Sequence, residues 1–105
     1  MTRNQWEQAE AGVTRKIHPP GQNMMMMEVV FEPEAEGASH SHPHEQLTYC
    51  LEGELIFTID GKEQKIVQGD SLHIPSQAVH GVKAVTKSRL LDIFNPLRED
   101  LLNRE

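Results

Sequence analysis

A chain of 105 residues is one domain, long enough for a single core with little to spare. Its formal net charge of −6 excludes no enzyme class, but it disfavours nucleic acid and anionic membrane as partners, since both need a basic face. The single cysteine, Cys50, has no internal disulfide partner, and residues 1–23 hold no apolar stretch of signal-peptide or membrane-span length, so a reducing cytoplasmic setting is expected.

Along the chain, residues 1–23 read as a polar arm broken by Pro19, Pro20 and Gly21, with Trp6 as its one strong apolar anchor and a short strand at 13–17. The stretch 24–31, MMMMEVVF, alternates so that Met25, Met27, Val29 and Phe31 share one face while Met24, Met26 and Val30 share the other. A strand apolar on both faces is expected to be covered on both, which points to a second copy of the chain. The methionines suit flexible core filling. After a turn at 33–37, strands are expected at 46–52, 55–59, 63–67, 71–74, 82–86 and 89–94. Asp60-Gly61 supplies a tight hairpin between the second and third of these, because both residues tolerate positive φ. Short strands with Gly and Pro punctuation predict an all-β sandwich or barrel over 24–96. Asn95 and Pro96 read as N-cap and first helical position of a short C-terminal helical segment over 97–105, reaching Asn103.

The chemistry concentrates in GASHSHPHEQLTYCLEG, from Gly37 to Gly53. His40, His42 and Gln46 have the same parity, so an extended chain with only a local kink at Pro43 points them one way. Imidazole nitrogens and an amide oxygen suit a divalent transition metal such as Ni, Zn, Mn or Fe. A fourth ligand is expected downstream, and His80 stands in GDSLHIPSQAVHGVKA. Six His in a small acidic chain also suit surface positions or a metal-scavenging tract; the spacing of His80 from its own Gly69 and Pro75 argues for a specific site. Thr48 and Cys50, on the Gln46 side of their strand, are small and leave space for a ligand, with Cys50 read as a structural side chain. His18, His44 and His73 are expected to be surface or supporting residues.

These two stretches resemble the signature motifs of the cupin superfamily, which implies a jelly-roll barrel, a double-stranded β-helix. Three departures stand out: Gln46 occupies the usual carboxylate-ligand place, only two residues separate Gly37 from His40, and Ala84 replaces the usual Asn. Three neutral imidazoles and a neutral amide leave a metal's charge uncompensated, so the site is expected to act as a Lewis acid and to trap a carboxylate or enolate oxygen.

Near the C-terminus, LLDIFNPLRED carries Asp92, Phe94 and Arg98 in the pattern DxFxxxR. An Asp on an otherwise apolar strand is costly to bury without a partner. On pattern alone, a structural Asp92–Arg98 salt bridge with Phe94 as core accounts for it slightly better than a catalytic set does. HSHPHEQ followed by DxFxPxRED is, however, similar to the KdgF-type cupins of pectin and alginate breakdown. That resemblance implies a small dimeric enzyme with one divalent metal on His40, His42, Gln46 and His80, and with Asp92, Phe94 and Arg98 as further active-site residues. It also implies a small anionic sugar-acid substrate, a 4,5-unsaturated monouronate converted to a linear 4-deoxy-5-keto acid. On the same scaffold the alternatives are a dioxygenase, another sugar isomerase, or a non-catalytic module that binds a small acid.

Overall fold

The computed structural model describes residues 4–102. Ten strands run in the order β1 (Trp6–Glu10), β2 (Val13–Ile17), β3 (Met25–Phe31), β4 (Glu36–His40), β5 (Glu45–Glu52), β6 (Glu54–Ile59), β7 (Lys62–Val67), β8 (Ser71–Ile74), β9 (His80–Ala84) and β10 (Ser88–Asn95), before a single turn of helix, α1 (Glu99–Leu102). They form two antiparallel sheets, β1-β2-β3-β10-β5-β8 and β4-β9-β6-β7, closed over one another as the all-β jelly roll expected from the sequence.

The alternation visible in the sequence is what builds this barrel. In β3, Met25, Met27, Val29 and Phe31 are buried and their neighbours are not. On β10 Leu90 and Phe94 face inward, while Leu55, Phe57 and Ile59 do so from the opposite sheet. Burying a side chain the size of Phe94 contributes about 1.5–3 kcal/mol, so a one-residue slip of any central strand would turn that gain into exposed apolar surface.

The Asp60-Gly61 hairpin forms as expected, with φ of 48° and 82°. It does more than reverse the chain. Asp60 makes two hydrogen bonds with the loop ahead of β9, its backbone N–H donating to Val79 O at 2.7 Å and its side-chain Oδ1 accepting from Val79 N at 2.9 Å. The turn thereby fixes the residue next to His80.

Four elements differ from the sequence reading, one of them β9, expected at 82–86 and found at His80–Ala84. The N-terminal segment contains a strand, β1, paired with β2 as a hairpin with Glu7 opposite Arg15; Trp6 sits half-exposed beneath the Arg89 guanidinium, 5.5 Å from its ring centre. A further strand, β4, begins inside the stretch read as a turn. The helix starts at Glu99 rather than after Asn95, because Asn95 is still in register with Glu45 on β5; Asn103 lies outside the described residues. Cys50 is buried, and burial pushes its thiol pKa up, which suits a structural role. Among the described residues, no helix is long and apolar enough to cross a membrane.

Candidate active site

His40 ends β4 and His80 opens β9, and the two residues are register partners across the four-stranded sheet. Gln46 arrives from the other sheet as the second residue of β5. Between them His42 is buried in the connection that crosses from one sheet to the other. Convergence therefore does not come from one extended chain, as equal parity suggested. Pro43 lacks a ladder donor and sits in the crossing. The second motif holds that crossing in place: Gln77 N donates to His42 O at 2.8 Å, and Ser76 Oγ donates to Pro43 O at 2.6 Å. At position 81 a Cβ would meet Ser39 Oγ at 2.9 Å and Gly37 O at 3.2 Å, so glycine there keeps β4 and β9 close enough to set His40 against His80.

The ligand atoms of His40, His42 and His80 lie within 4.8 Å of one another. Each ring has Nδ1 beside a backbone carbonyl, Ala38 at 2.9 Å, His44 at 3.0 Å and Ala78 at 3.0 Å respectively. A proton on Nδ1 donates to that carbonyl, which leaves every Nε2 lone pair available. Burial lowers the His42 pKa to about 4, helped by the charges of Arg98 and His80, and burial lowers His80 in the same direction. Both rings are therefore neutral near pH 7.

Gln46 tests whether a cation fits. Its Nε2 donates to Thr48 Oγ1 at 2.9 Å, which turns its Oε1 toward His42 Nε2 at 3.1 Å. With Nδ1 carrying the His42 proton, two acceptors face each other, an arrangement that a positive charge beside them stabilises. The donor set fits a borderline divalent metal.

A polar chain continues from there. Thr48 Oγ1 donates to Asp92 Oδ1 at 2.8 Å, as the register Thr48↔Asp92 between β5 and β10 allows. Burial pushes the Asp92 carboxyl up to about 6, against the opposing pull of Thr48, Gln46 and Arg98. Phe94, 1% exposed, sets its ring edge-on to His42 at 5.7 Å, and the Arg98 guanidinium lies 5.0 Å from the Phe94 ring centre.

The salt bridge allowed by the sequence is not the one that forms. Arg98 pairs with Asp100 through Nε at 3.0 Å and Nη2 at 2.8 Å, while Asp92 takes its hydrogen bond from Thr48. That leaves three of the five guanidinium N–H groups of Arg98 outside the Asp100 pair.

His40, Gln46, His80, Asp92, Phe94 and Arg98 all line one cavity of 220 Å³, whose remaining wall is largely apolar and includes Met27, Val29 and Phe57. Met25 stays in the core, its Sδ accepting from Arg98 N at 3.1 Å. His18, His44 and His73 instead contact Glu28, Leu97 O and Glu45. Sequence reasoning missed Thr48 as a link, having read it only as a small side chain, and missed Glu10 and Arg15, which line the cavity from the N-terminal hairpin. A signal existed: Arg15 shares its strand parity with Val13 and Ile17, both buried.

A two-sheet jelly roll with converging imidazoles defines the class. Residues 27–94 match the cupin domain family, and the chain belongs to it. Within that family the chain is KdgF-like: it is 33% identical over 99 residues to the pectin degradation protein KdgF of Dickeya dadantii (strain 3937), covering 92% of this chain and 90% of that one. Among solved structures, KdgF from Halomonas sp. superposes with a TM-score of 0.87 at 30% identity, over 92% of this chain and 90% of that one. An RmlC-like cupin from Shewanella frigidimarina NCIMB 400 superposes with a TM-score of 0.88 at 33% identity, over 93% and 88%.

Proposed function

We propose that the protein is a metal-dependent, non-redox isomerase that opens 4,5-unsaturated monouronates to linear 4-deoxy-5-keto acids. The observation that carries this reading is the buried carboxyl of Asp92, hydrogen-bonded through Thr48 to Gln46 and lining one cavity with His40, His80 and Arg98. A cavity of 220 Å³ is smaller than the roughly 300–1,000 Å³ that holds drug-sized ligands, which suits one sugar ring rather than an oligosaccharide. Bound by His40, His42, Gln46 and His80, a divalent transition metal supplies Lewis acidity to an oxygen that gains negative charge during the reaction.

The reaction is a proton relocation with no net oxidation. The C1 hydroxyl gives its proton to the enzyme, the bond between C1 and the ring oxygen breaks, C1 becomes an aldehyde, and the electron pair stays on the C5 oxygen as an enolate. Protonation at C4 then gives the C5 ketone. One residue suffices for both transfers, and Asp92 is suited to it, since a carboxyl pushed up to about 6 both accepts and releases a proton near neutrality. The N–H groups of Arg98 outside the Asp100 pair are suited to grip the substrate carboxylate, and Phe94 supports the guanidinium and closes the cavity wall against water. Outside the barrel, the exposed Met26, Leu47 and Tyr49 on the six-stranded sheet support a homodimer formed through that face.

Incubating metal-loaded protein with lyase-generated unsaturated monouronate tests the reading. Loss of near-ultraviolet absorbance from the conjugated double bond is expected, with one deuterium incorporated at C4 in heavy water and no oxygen uptake. Unchanged absorbance would remove the isomerase assignment, and stoichiometric oxygen consumption would replace it with a dioxygenase.

A further inference from the structure

We infer that Arg15 and Glu10, on the N-terminal hairpin, recognise the hydroxyl and carbonyl oxygens of a sugar acid at the end remote from its carboxylate, with Glu7 as the residue that positions Arg15. This rests on the uronate reading and deepens it by assigning the groups that distinguish a hydroxylated acid from a bare carboxylate.

Register places Arg15 opposite Val29 on β3, which is itself opposite Leu90 on β10, while Asp92 stands one inward step along β10, level with Met27 and Ile17. Arg15 is thus two strands and one inward step from Asp92. With strands about 4.8 Å apart and an inward step of about 6.8 Å, the two Cα atoms are separated by about 12 Å along the sheet. One sugar ring together with the two side chains spans that distance.

An arginine on an inward strand face is costly to desolvate alone. Glu7, directly across the hairpin, accepts from Arg15 Nε at 2.8 Å, and both side chains are more than four-fifths buried. The pair carries no net charge, so it has little attraction for a second carboxylate. What Arg15 still offers is its terminal N–H groups: among the described residues its one hydrogen bond is through Nε. Next to these donors Glu10 supplies acceptor oxygens to the same cavity. Donors and acceptors side by side complement neighbouring sugar hydroxyls and the C1 oxygen. Glu10 also ties this rim to the metal-ligand strand, its Oε1 accepting from Ala38 N at 3.3 Å, two residues before His40. A cross-strand pair that served only to hold the hairpin would not need to line the cavity.

Titration calorimetry on the metal-loaded full chain, with D-galacturonate and cyclohexanecarboxylate as probes, tests this. The wild type is expected to prefer galacturonate. Arg15→Met, which keeps much of the apolar stem, should lose at least about tenfold in galacturonate affinity, with cyclohexanecarboxylate affinity held within about twofold and the thermal midpoint retained. Arg15→Lys keeps a charge for Glu7 without the planar fork, so it should show the same loss of preference to a smaller degree, and it decides the matter if Arg15→Met folds poorly. Retained galacturonate preference in both variants would overturn this inference and leave the uronate reading intact. Equal weakening of both probes would overturn it in favour of a structural pair. A wild type with no preference for galacturonate would overturn the uronate reading and this inference together.

Discussion

Each face of the six-stranded sheet carries a patch that departs from an ordinary half-buried sheet, polar on the inner face and apolar on the outer. Its inner face carries Gln46, Thr48 and Asp92, all buried, among the core side chains, whereas its outer face exposes Met26 at 44%, Leu47 at 52% and Tyr49 at 43%. A sheet with one solvated face normally reads apolar inside and polar outside. Burying an amide, a hydroxyl and a carboxyl costs free energy that mutual hydrogen bonds only partly offset. The fold tolerates that cost where the groups form one connected chain, from Gln46 through Thr48 to Asp92. On the outside, Met26 and Leu47 both flank Ile93 in register, giving a continuous apolar stripe. The inner face thus suits the chemistry proposed above and the outer face the proposed association, and substitutions on each should separate the two roles.

The largest effect is expected on the inner face. Asp92→Asn keeps the shape of the carboxyl and an oxygen to accept from Thr48, but it removes the ability to exchange a proton. Turnover of unsaturated uronate should fall by about 10²- to 10⁴-fold. The thermal midpoint at neutral pH should hold or rise, because a buried carboxylate is being replaced by a neutral group. Near-normal turnover with a lowered midpoint would show that Asp92 is structural.

Next comes the metal. His80→Ala should weaken divalent metal affinity by about 100-fold or more, given that even residues supporting a ligand typically account for about 10- to 100-fold. Gln46→Glu should retain metal while weakening the binding of anionic ligands, since a carboxylate cancels one positive charge. Metal analysis after dialysis, alongside anion titration, reads both; full occupancy in His80→Ala would dissolve the four-ligand site.

On the outer face, Leu47→Glu should leave metal content unchanged and shift a homodimer toward monomer in light scattering at micromolar concentration. A buried interface does not accept an unpaired carboxylate at its apolar centre. A wild type that is monomeric under the same conditions would remove the assembly role of this face.

How much of this was legible in the sequence follows from what each element depends on. The span of β2 was read as it stands, and β3, β5, β6 and β7 to within a residue at each end, because alternation of apolar side chains is the force that holds them. β4 was missed because Glu36–His40 buries almost nothing; it is held by pairing to β9 and by the motif glycines, neither of which leaves a hydrophobic pattern. β1 failed to register for the same reason, its side chains being polar or half-exposed. At the candidate site, the grouping of His40, His42, Gln46 and His80 was legible because the ligand chemistry proposed for them restricts residue type. The partner of Arg98 was not, since Asp92 stands six residues before it and Asp100 two after it, and separation along the chain does not by itself choose between them. What decides is β10 staying extended through Asn95, which carries Arg98 beyond the strand, where Asp100 meets its fork.

The smallest predicted effect probes the charged part of the outer face. Glu28 lies between His18 Nε2 at 2.9 Å and Arg89 Nη1 at 3.2 Å, with its side chain 21% exposed. The hydrogen bond from His18 is the main influence lowering its pKa, with Arg89 acting in the same direction and partial burial opposing both. A carboxyl whose folded pKa lies below its unfolded value contributes stability that is fully present above the unfolded value and is lost as pH falls through the folded one. Glu28→Gln should therefore cost about 0.5–1 kcal/mol at pH 7, in the range of partly exposed ion pairs, seen as a drop of about 2–6 °C in thermal midpoint. The difference between wild type and variant should shrink as pH falls below the ordinary carboxylate range and should close once Glu28 is protonated in both states. If the drop persists unchanged in acid, packing rather than charge is responsible. Protein concentration sharpens the comparison. A network lying within an association interface makes the drop in midpoint depend on protein concentration, whereas one that belongs to the monomer alone gives the same drop at every concentration.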